Sequence, residues 1–176
     1  MQLITITQKT DEALLFIQPL YESIFPVYER RDWQKLISML DNGQMEVMLI
    51  KVEKTYVGFI ICWKIGDWCY LEHLAIEPSL RGNQFGSRVI ELLLKKSKGR
   101  LVLEVEHAND TESQRRILFY ERLGIAVVPQ HYKQPPYSKD GQPIPMHLMT
   151  GENNLDLELL KGLIENIRTT VYEQFY

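Results

Sequence analysis

Residues Leu71 to Leu94, LEHLAIEPSLRGNQFGSRVIELLL, carry the side chains and spacing best suited to chemistry in this chain. An apolar stretch runs into a turn holding Arg81, Gly82 and Gly86, and the turn runs into an amphipathic helix. The first turn of a helix presents unpaired backbone N–H groups and the positive end of the helix dipole. A turn of small residues lets an anion approach that end closely, so the segment reads as a cradle for a diphosphate. Carboxylates stand close by in the pattern. Alternate residues of a strand share a face, so Tyr70, Glu72, Leu74 and Ile76 line one side, and Glu104 and Glu106 share a side of a later strand. Carboxylates on one sheet face attract a cationic amine, and crowding raises the pKa of one of them towards the range of a general base. The same alternation turns His73 to the opposite side, as a core or helix-facing histidine.

The elements that must position these groups can be read from periodicity and breakers. Residues 2–7 alternate as a strand. Thr10 is expected to cap a helix that starts at Asp11 and Glu12, kinks at Pro19 and ends at Pro26. Asp32 caps a second helix through Trp33, Leu36 and Leu40, which Asn42-Gly43 stops. A three-strand meander follows: Met45 to Val52, Tyr56 to Ile65, and Trp68 to Ile76, the last two joined by the hairpin signal Gly66-Asp67. After the glycine-bearing turn, a helix places Phe85, Val89, Leu92 and Leu93 on one face and ends at Ser97-Lys98-Gly99. Leu101 to Glu106 is a strand. Thr111 and Gln114 fit a capping box for a helix that ends at Leu123-Gly124. Ile125 to Val128 and Pro145 to Thr150 are strands, separated by a long proline-rich loop over 129–142. Asn154 to Tyr172 is an extra amphipathic helix with Leu159, Leu160, Leu163, Ile167 and Val171 along it. Antiparallel meander first, helix-linked strands afterwards: the order is that of an α+β protein with a mixed central sheet and flanking helices.

A chain of 176 residues with an apolar share of 45% suits one domain with an appended element, divided here as 1–150 and a helical extension 151–176. A net charge of −3 gives no electrostatic footprint for nucleic acid. No apolar run reaches the roughly 18 residues of a membrane span, and the N-terminus lacks the basic-then-apolar pattern of a secretory signal. A cytoplasmic protein is expected. Cys62 and Cys69 flank the Gly66-Asp67 turn, where a disulfide or two buried thiols would fit. His73, His107, His131 and His147 show no ligand spacing, so no metal site is expected. The trailing helix has one apolar stripe to cover, on its own domain or on a second copy, and a homodimer is the expectation.

Two glycine motifs fail. A Walker loop needs Gly-x4-Gly-Lys-Ser/Thr, which Gly82 and Gly86 do not satisfy, and a dinucleotide fingerprint needs three glycines in a first βα unit. The stretch Arg81-Gly82-Asn83-Gln84-Phe85-Gly86 resembles instead the Gln/Arg-x-x-Gly-x-Gly/Ala hallmark of the GCN5-related N-acetyltransferase (GNAT) family. Gln84 stands where the family usually has glycine. Leu74-Ala75-Ile76 is similar to the family's Leu-Ala-Val strand end, and Phe119-Tyr120-Glu121-Arg122-Leu123-Gly124-Ile125 to its Phe-Tyr-Glu-Lys-Leu-Gly-Phe.

The resemblance implies the GNAT acyl-CoA N-acyltransferase fold over residues 2–150, with acetyl-CoA as cosubstrate. It implies that backbone N–H groups of residues 81 to 87 (Arg81, Gly82, Asn83, Gln84, Phe85, Gly86 and Ser87) hold the diphosphate. The main chain of Leu74, Ala75 and Ile76 would bond the pantetheine arm. Asn109 would reach the arm or the phosphates, or serve as a turn residue before the next helix. Tyr120 would protonate the departing thiolate and Glu72 would take the amine's proton, with Leu74 N–H meeting the oxyanion. Glu29, Arg30, Tyr70, Glu104 and Glu106 are the expected substrate contacts, and Tyr132, Pro135, Pro136 and Tyr137 could wall the pocket. The implied activity is acetyl transfer to a primary amine, of a small molecule or a peptide, by direct attack in a ternary complex. The alternative is a regulatory module that binds CoA without catalysis, to which the departure at Gln84 points.

Overall fold

A computed structural model describes residues 1–152 and 155–175. The strands are β1 (Gln2–Ile6), β2 (Met45–Val52), β3 (Thr55–Ile65), β4 (Trp68–Ile76), β5 (Leu101–Glu106), β6 (Ala126–Val127), β7 (Tyr132–Gln134) and β8 (Ile144–Thr150). The helices are α1 (Leu14–Ile24), α2 (Trp33–Ser38), α3 (Phe85–Lys96), α4 (Thr111–Glu121) and α5 (Leu157–Ile167). The strands form one mixed sheet in the order β1-β2-β3-β4-β5-β8-β6, with β7 paired to β8. The chain divides into two compact units, Met1–Trp63 with Leu71–Val89, and Lys64–Tyr70 with Ile90–Tyr176.

In the first unit, β1 and β3 flank β2 in antiparallel register, with Ile4 opposite Leu49 and Leu49 opposite Phe59. Val47, Leu49, Phe59, Ile17, Tyr21 and Leu36 are fully buried and form its core. Gly58 stands where nothing larger fits: a Cβ there would lie 2.1 Å from the carbonyl oxygen of Ala75. That contact fixes the end of β4 against β3, and the N–H of Glu77 adds a bond to Val57 O at 2.9 Å. The Asp32 cap forms as expected, its carboxylate accepting from Gln34 N and Lys35 N. The expected Thr10 cap does not. Asp11 instead accepts from Ala13 N at 2.9 Å, and α1 begins at Leu14 with no side-chain cap. A carboxylate in a local turn has claimed the amide that a helix starting at Asp11 would need. Pro19 lies within α1.

In the second unit, β8 is the centre, antiparallel to β5, β6 and β7. The capping box of α4 is shifted one residue from the expected one. Asp110 accepts from Ser113 N at 2.7 Å and Ser113 Oγ accepts from Asp110 N at 3.1 Å. Gln114 N, the amide a Thr111 cap would use, bonds instead to the Asp110 carbonyl at 3.1 Å. The loop expected over 129–142 contains β7, whose Tyr132 and Gln134 turn inward while Lys133 stays exposed. Three residues are too few to show as a period.

The trailing helix α5 starts after Asp156, which accepts from Leu159 N at 2.7 Å. The expected start at Asn154 lies outside the described residues. Beyond Ile167 the helix widens into a π-helical turn over Arg168–Tyr172. Leu160, Leu163, Ile167, Val171 and Tyr172 are buried within the single chain. Leu159 of the same expected stripe stays exposed, as does Leu157. Cys62 and Cys69 form no disulfide. Among the described residues no helix is long and apolar enough to cross a membrane.

Candidate active site

The turn between β4 and α3 is shaped by its own short contacts. Leu80 N bonds to Glu77 O, and Arg81 N to Pro78 O. Asn83 Nδ2 donates to Leu80 O at 2.9 Å, which folds the turn back on itself. Gly82 has φ 83° and Gln84 φ 59°. The second value explains why glycine is the usual residue at that point: a Cβ costs roughly 1–2 kcal/mol in the left-handed region. Gln84 accepts the strain and still leads into the helix, its carbonyl receiving Arg88 N at 3.1 Å. The N–H groups of Gly82, Asn83, Gln84, Phe85, Gly86 and Ser87 make no hydrogen bond to any described residue. Six consecutive amides at the positive end of a helix form a donor array that protein atoms do not answer. Residues 81 to 84 are exposed, and Phe85, Gly86 and Ser87 half-buried.

Upstream on β4, Leu74 and Ile76 are half-buried and Ala75 is buried. Glu72 is not placed as a base on an open floor. Its side chain is 0% exposed, ion-paired to Arg31 Nη2 at 3.2 Å, and receives Trp63 Nε1–H at 2.6 Å. What is accessible at position 72 is main chain, since the residue as a whole is half-buried. Arg31 is 1% exposed, lies over the Trp63 ring, and has its main chain tied at both N–H and C=O to the Tyr21 hydroxyl. Beside this pair, His73 packs between Phe25 and Tyr21, with ring centroids 4.3 and 5.3 Å away. Burial pulls its pKa down to about 4, so the imidazole is neutral at pH 7, as a core histidine should be. Glu29 ends a short 3₁₀ turn, and Arg30 donates to Phe25 O at 2.9 Å while covering the Tyr21 ring. The exposed apolar side chains Val27 and Tyr28 precede them.

In the second unit a different carboxylate is the centre of a network. Glu104, on β5, accepts from the Tyr132 hydroxyl at one oxygen. At the other it accepts from Gln134 Nε2 at 2.7 Å and from the Tyr172 hydroxyl at 2.8 Å. Tyr70 is a further hydrogen-bond partner of the carboxylate. The Tyr172 hydroxyl is 2.8 Å from that of Tyr70 and receives Gln134 Nε2 at 3.1 Å. Both N–H groups of Gln134 point at acceptors, which fixes the amide orientation, because the reverse would set its oxygen against the carboxylate. Gln134 Oε1 is buried and accepts from no described residue. Desolvation raises the Glu104 pKa above its ordinary value, and the four hydrogen bonds pull it partly back. The proton stays on Tyr132 and Tyr172, whose pKa values burial and the neighbouring carboxylate push up.

The remaining expected residues are separate from that network. Tyr120 on α4 is 9% exposed and stacked edge-on to Phe119. Burial raises its pKa to about 12, so it is a proton donor at neutral pH. Its hydroxyl has no acceptor among the described residues. Glu106 forms a half-exposed ion pair with Arg116 at 2.5 Å. Asn109 is exposed and immediately precedes the Asp110 cap, its N–H turned back to His107 O. Sequence reasoning named Tyr70 and Glu104 but missed Gln134, Tyr172 and Arg31 as their partners and Glu72's. Only the Tyr132-bearing loop carried a hint, through its aromatic and proline content. Among the described residues no three His, Cys, Asp or Glu side chains converge as a metal site would require.

The bare amide array between β4 and α3 is a place where an anionic group can dock. The chain belongs to the GNAT acetyltransferase family, whose sequence pattern it matches over residues 12–125. No curated protein sequence matches it. It is similar to a solved GNAT-family acetyltransferase from Bacteroides thetaiotaomicron, described there as putative. The two share 33% identity over 98% of both chains, with a TM-score of 0.89. More distant structures share the fold. An aminoglycoside 6'-N-acetyltransferase complexed with coenzyme A has TM-score 0.59 and 19% identity over 89% of this chain and all (100%) of that one. A spermidine N-acetyltransferase variant from Vibrio cholerae has TM-score 0.63 and 15% identity over 85% of this chain and 94% of that one.

Proposed function

We propose that this protein transfers an acetyl group from acetyl-CoA to a primary amine. The observation that carries the reading is the row of six unanswered amides from Gly82 to Ser87. A diphosphate supplies the acceptors that such a row lacks, and the helix dipole favours its charge. Acetyl-CoA supplies the activated acetyl group as a thioester. The accessible main chain near Glu72, Leu74 and Ile76 suits the pantetheine arm, which can bond there as an added strand.

For the proton acceptor we favour Glu104 over Glu72. The charge of Glu72 is already answered by Arg31. Glu104 is held only by neutral donors, and burial raises its affinity for a proton. The amine gives its proton to Glu104, its nitrogen forms the bond to the acetyl carbon, and the carbon–sulfur bond breaks. Tyr120 donates its proton to the departing sulfur, a role that a phenol kept protonated by burial can perform, and after product release the proton held by Glu104 goes to solvent while Tyr120 regains one from it. The products are an N-acetylated amine and CoA thiol. The relatives named for aminoglycoside and spermidine make polycationic small molecules the first amines to try.

A second reading, a CoA-binding module without turnover, is favoured by Gln84, which puts a side chain where the family has none. Calorimetry with CoA and thiol release across a panel of polyamines, aminoglycosides and peptide N-termini separates the two. Heat with CoA and thiol release with at least one amine is the expected result. Heat without turnover on any amine would leave the module, and no heat at saturating CoA would overturn both.

A further inference from the structure

The C-terminal segment lies beyond the residues matched to the family, yet it supplies one of the side chains hydrogen-bonded to Glu104. Tyr172 is 0% exposed. Its proton goes to Glu104 Oε2, it receives Gln134 Nε2, and its oxygen lies 2.8 Å from the Tyr70 hydroxyl. The hydroxyl is thus held from three directions, and its ring packs on Tyr137 with centroids 5.2 Å apart. The backbone that delivers it is a π-helical turn over Arg168–Tyr172. Such a turn is costly and uncommon, and it recurs at functional positions because it re-phases one side chain. Here it turns two consecutive residues, Val171 and Tyr172, inward at full burial. Packing alone would be served by a phenylalanine; the hydroxyl is there for the carboxylate.

We propose that Tyr172 is a positioning residue for the transfer reaction: it orients the Glu104 carboxylate and stabilises its charged form as the proton acceptor. The C-terminal segment is therefore part of the chemistry. The inference rests on the assignment of Glu104 as the base. The groups facing that carboxylate are Tyr70 from β4, Tyr132 and Gln134 from β7 and Tyr172 from the tail, with Tyr137 from the following loop packed on Tyr172. All are neutral at pH 7. Burial drives the Glu104 carboxyl towards its neutral form, and the tyrosine donors work against that drive.

The test is direct titration of Glu104 in the full chain, followed by NMR of glutamate labelled with 13C at the side-chain carboxyl, with Glu104→Gln assigning the signal. In Tyr172→Phe the Glu104 midpoint should rise by about one pH unit, the value of one lost hydrogen bond to a charged group. Replacing Tyr172 by 3,5-difluorotyrosine keeps the shape and strengthens the donor, so the midpoint should fall. A role confined to packing would leave both midpoints at the wild-type value, and that result overturns the proposal. Should the phenylalanine variant not fold, the fluorinated one decides alone. The readout needs no substrate: full turnover in Glu104→Gln would sink the base assignment, whereas unmoved midpoints would sink only the role of Tyr172.

Discussion

Two buried carboxylates on neighbouring strands of the sequence are answered in opposite ways. Glu72 in the first unit meets a guanidinium and an indole N–H. Glu104 in the second meets three phenols and a carboxamide, all neutral. Both arrangements solve the problem of a charge removed from water. A charge answered by a charge is committed to the ion pair and becomes part of the frame. A charge answered by neutral donors keeps its affinity for a proton, because no counter-charge is lost when one arrives. The first arrangement builds structure; the second leaves chemistry available.

The largest effect that distinguishes them concerns stability. Arg31→Met should destabilise the fold by about 3–5 kcal/mol, because it strands the Glu72 carboxylate in the interior. Adding Glu72→Leu should return most of that loss. Chemical denaturation of the two single variants and the double variant reads the coupling; additive losses would mean that Glu72 is not held by Arg31. Glu104→Gln should do the reverse, changing stability by no more than about 1 kcal/mol and lowering turnover on the best amine by about 10²- to 10⁴-fold. Unchanged kcat in that variant would hand the base role back to Glu72 or to water.

The pH dependence of stability should also have opposite signs in the two regions. His73 is held near 4 in the folded chain against 6.5 when free, so the unfolded chain binds the extra proton between those values. Stability should fall as pH drops from 6.5 to 4, and His73→Phe should flatten that limb. Glu104 is raised above its ordinary 4.5 when folded, so there the folded chain binds the extra proton. Its contribution is complete below 4.5 and is lost as pH rises through the folded value. Denaturation midpoints of Glu104→Gln and of the parent chain across pH 4–8 would show the difference. The smallest effect belongs to the turn at φ 59°. Gln84→Gly should relieve left-handed strain and stabilise the fold by under about 1 kcal/mol, the entropy of glycine taking back part of the gain. Tighter CoA binding in this variant would show that the glutamine side chain obstructs the diphosphate; equal or weaker binding would show that it lies outside or contributes.

Much of the fold was legible because its signals are local. The strands Met45–Val52, Trp68–Ile76 and Leu101–Glu106 follow from alternation bounded by turn residues, and the Asp32 cap from one side chain and the amides just after it. Errors fell where two local solutions compete within a residue or two, as at Thr10 against Asp11 and Thr111 against Asp110. β7 escaped because its strand character comes from pairing with β8 and not from a period in its three residues.

By itself the sequence determined the strand–turn–helix cradle, since backbone amides at a helix start are left unpaired by geometry and not by distant neighbours. It also determined which carboxylates share a face of a strand. Tertiary structure alone decided what each carboxylate is. Arg31 reaches Glu72 from before α2, and Glu104 is enclosed by Tyr70, Tyr132, Gln134 and Tyr172 from three separate stretches of chain. A proton affinity depends on burial and on the partners within a few ångströms, and neither quantity is a property of the residue or of its neighbours along the chain.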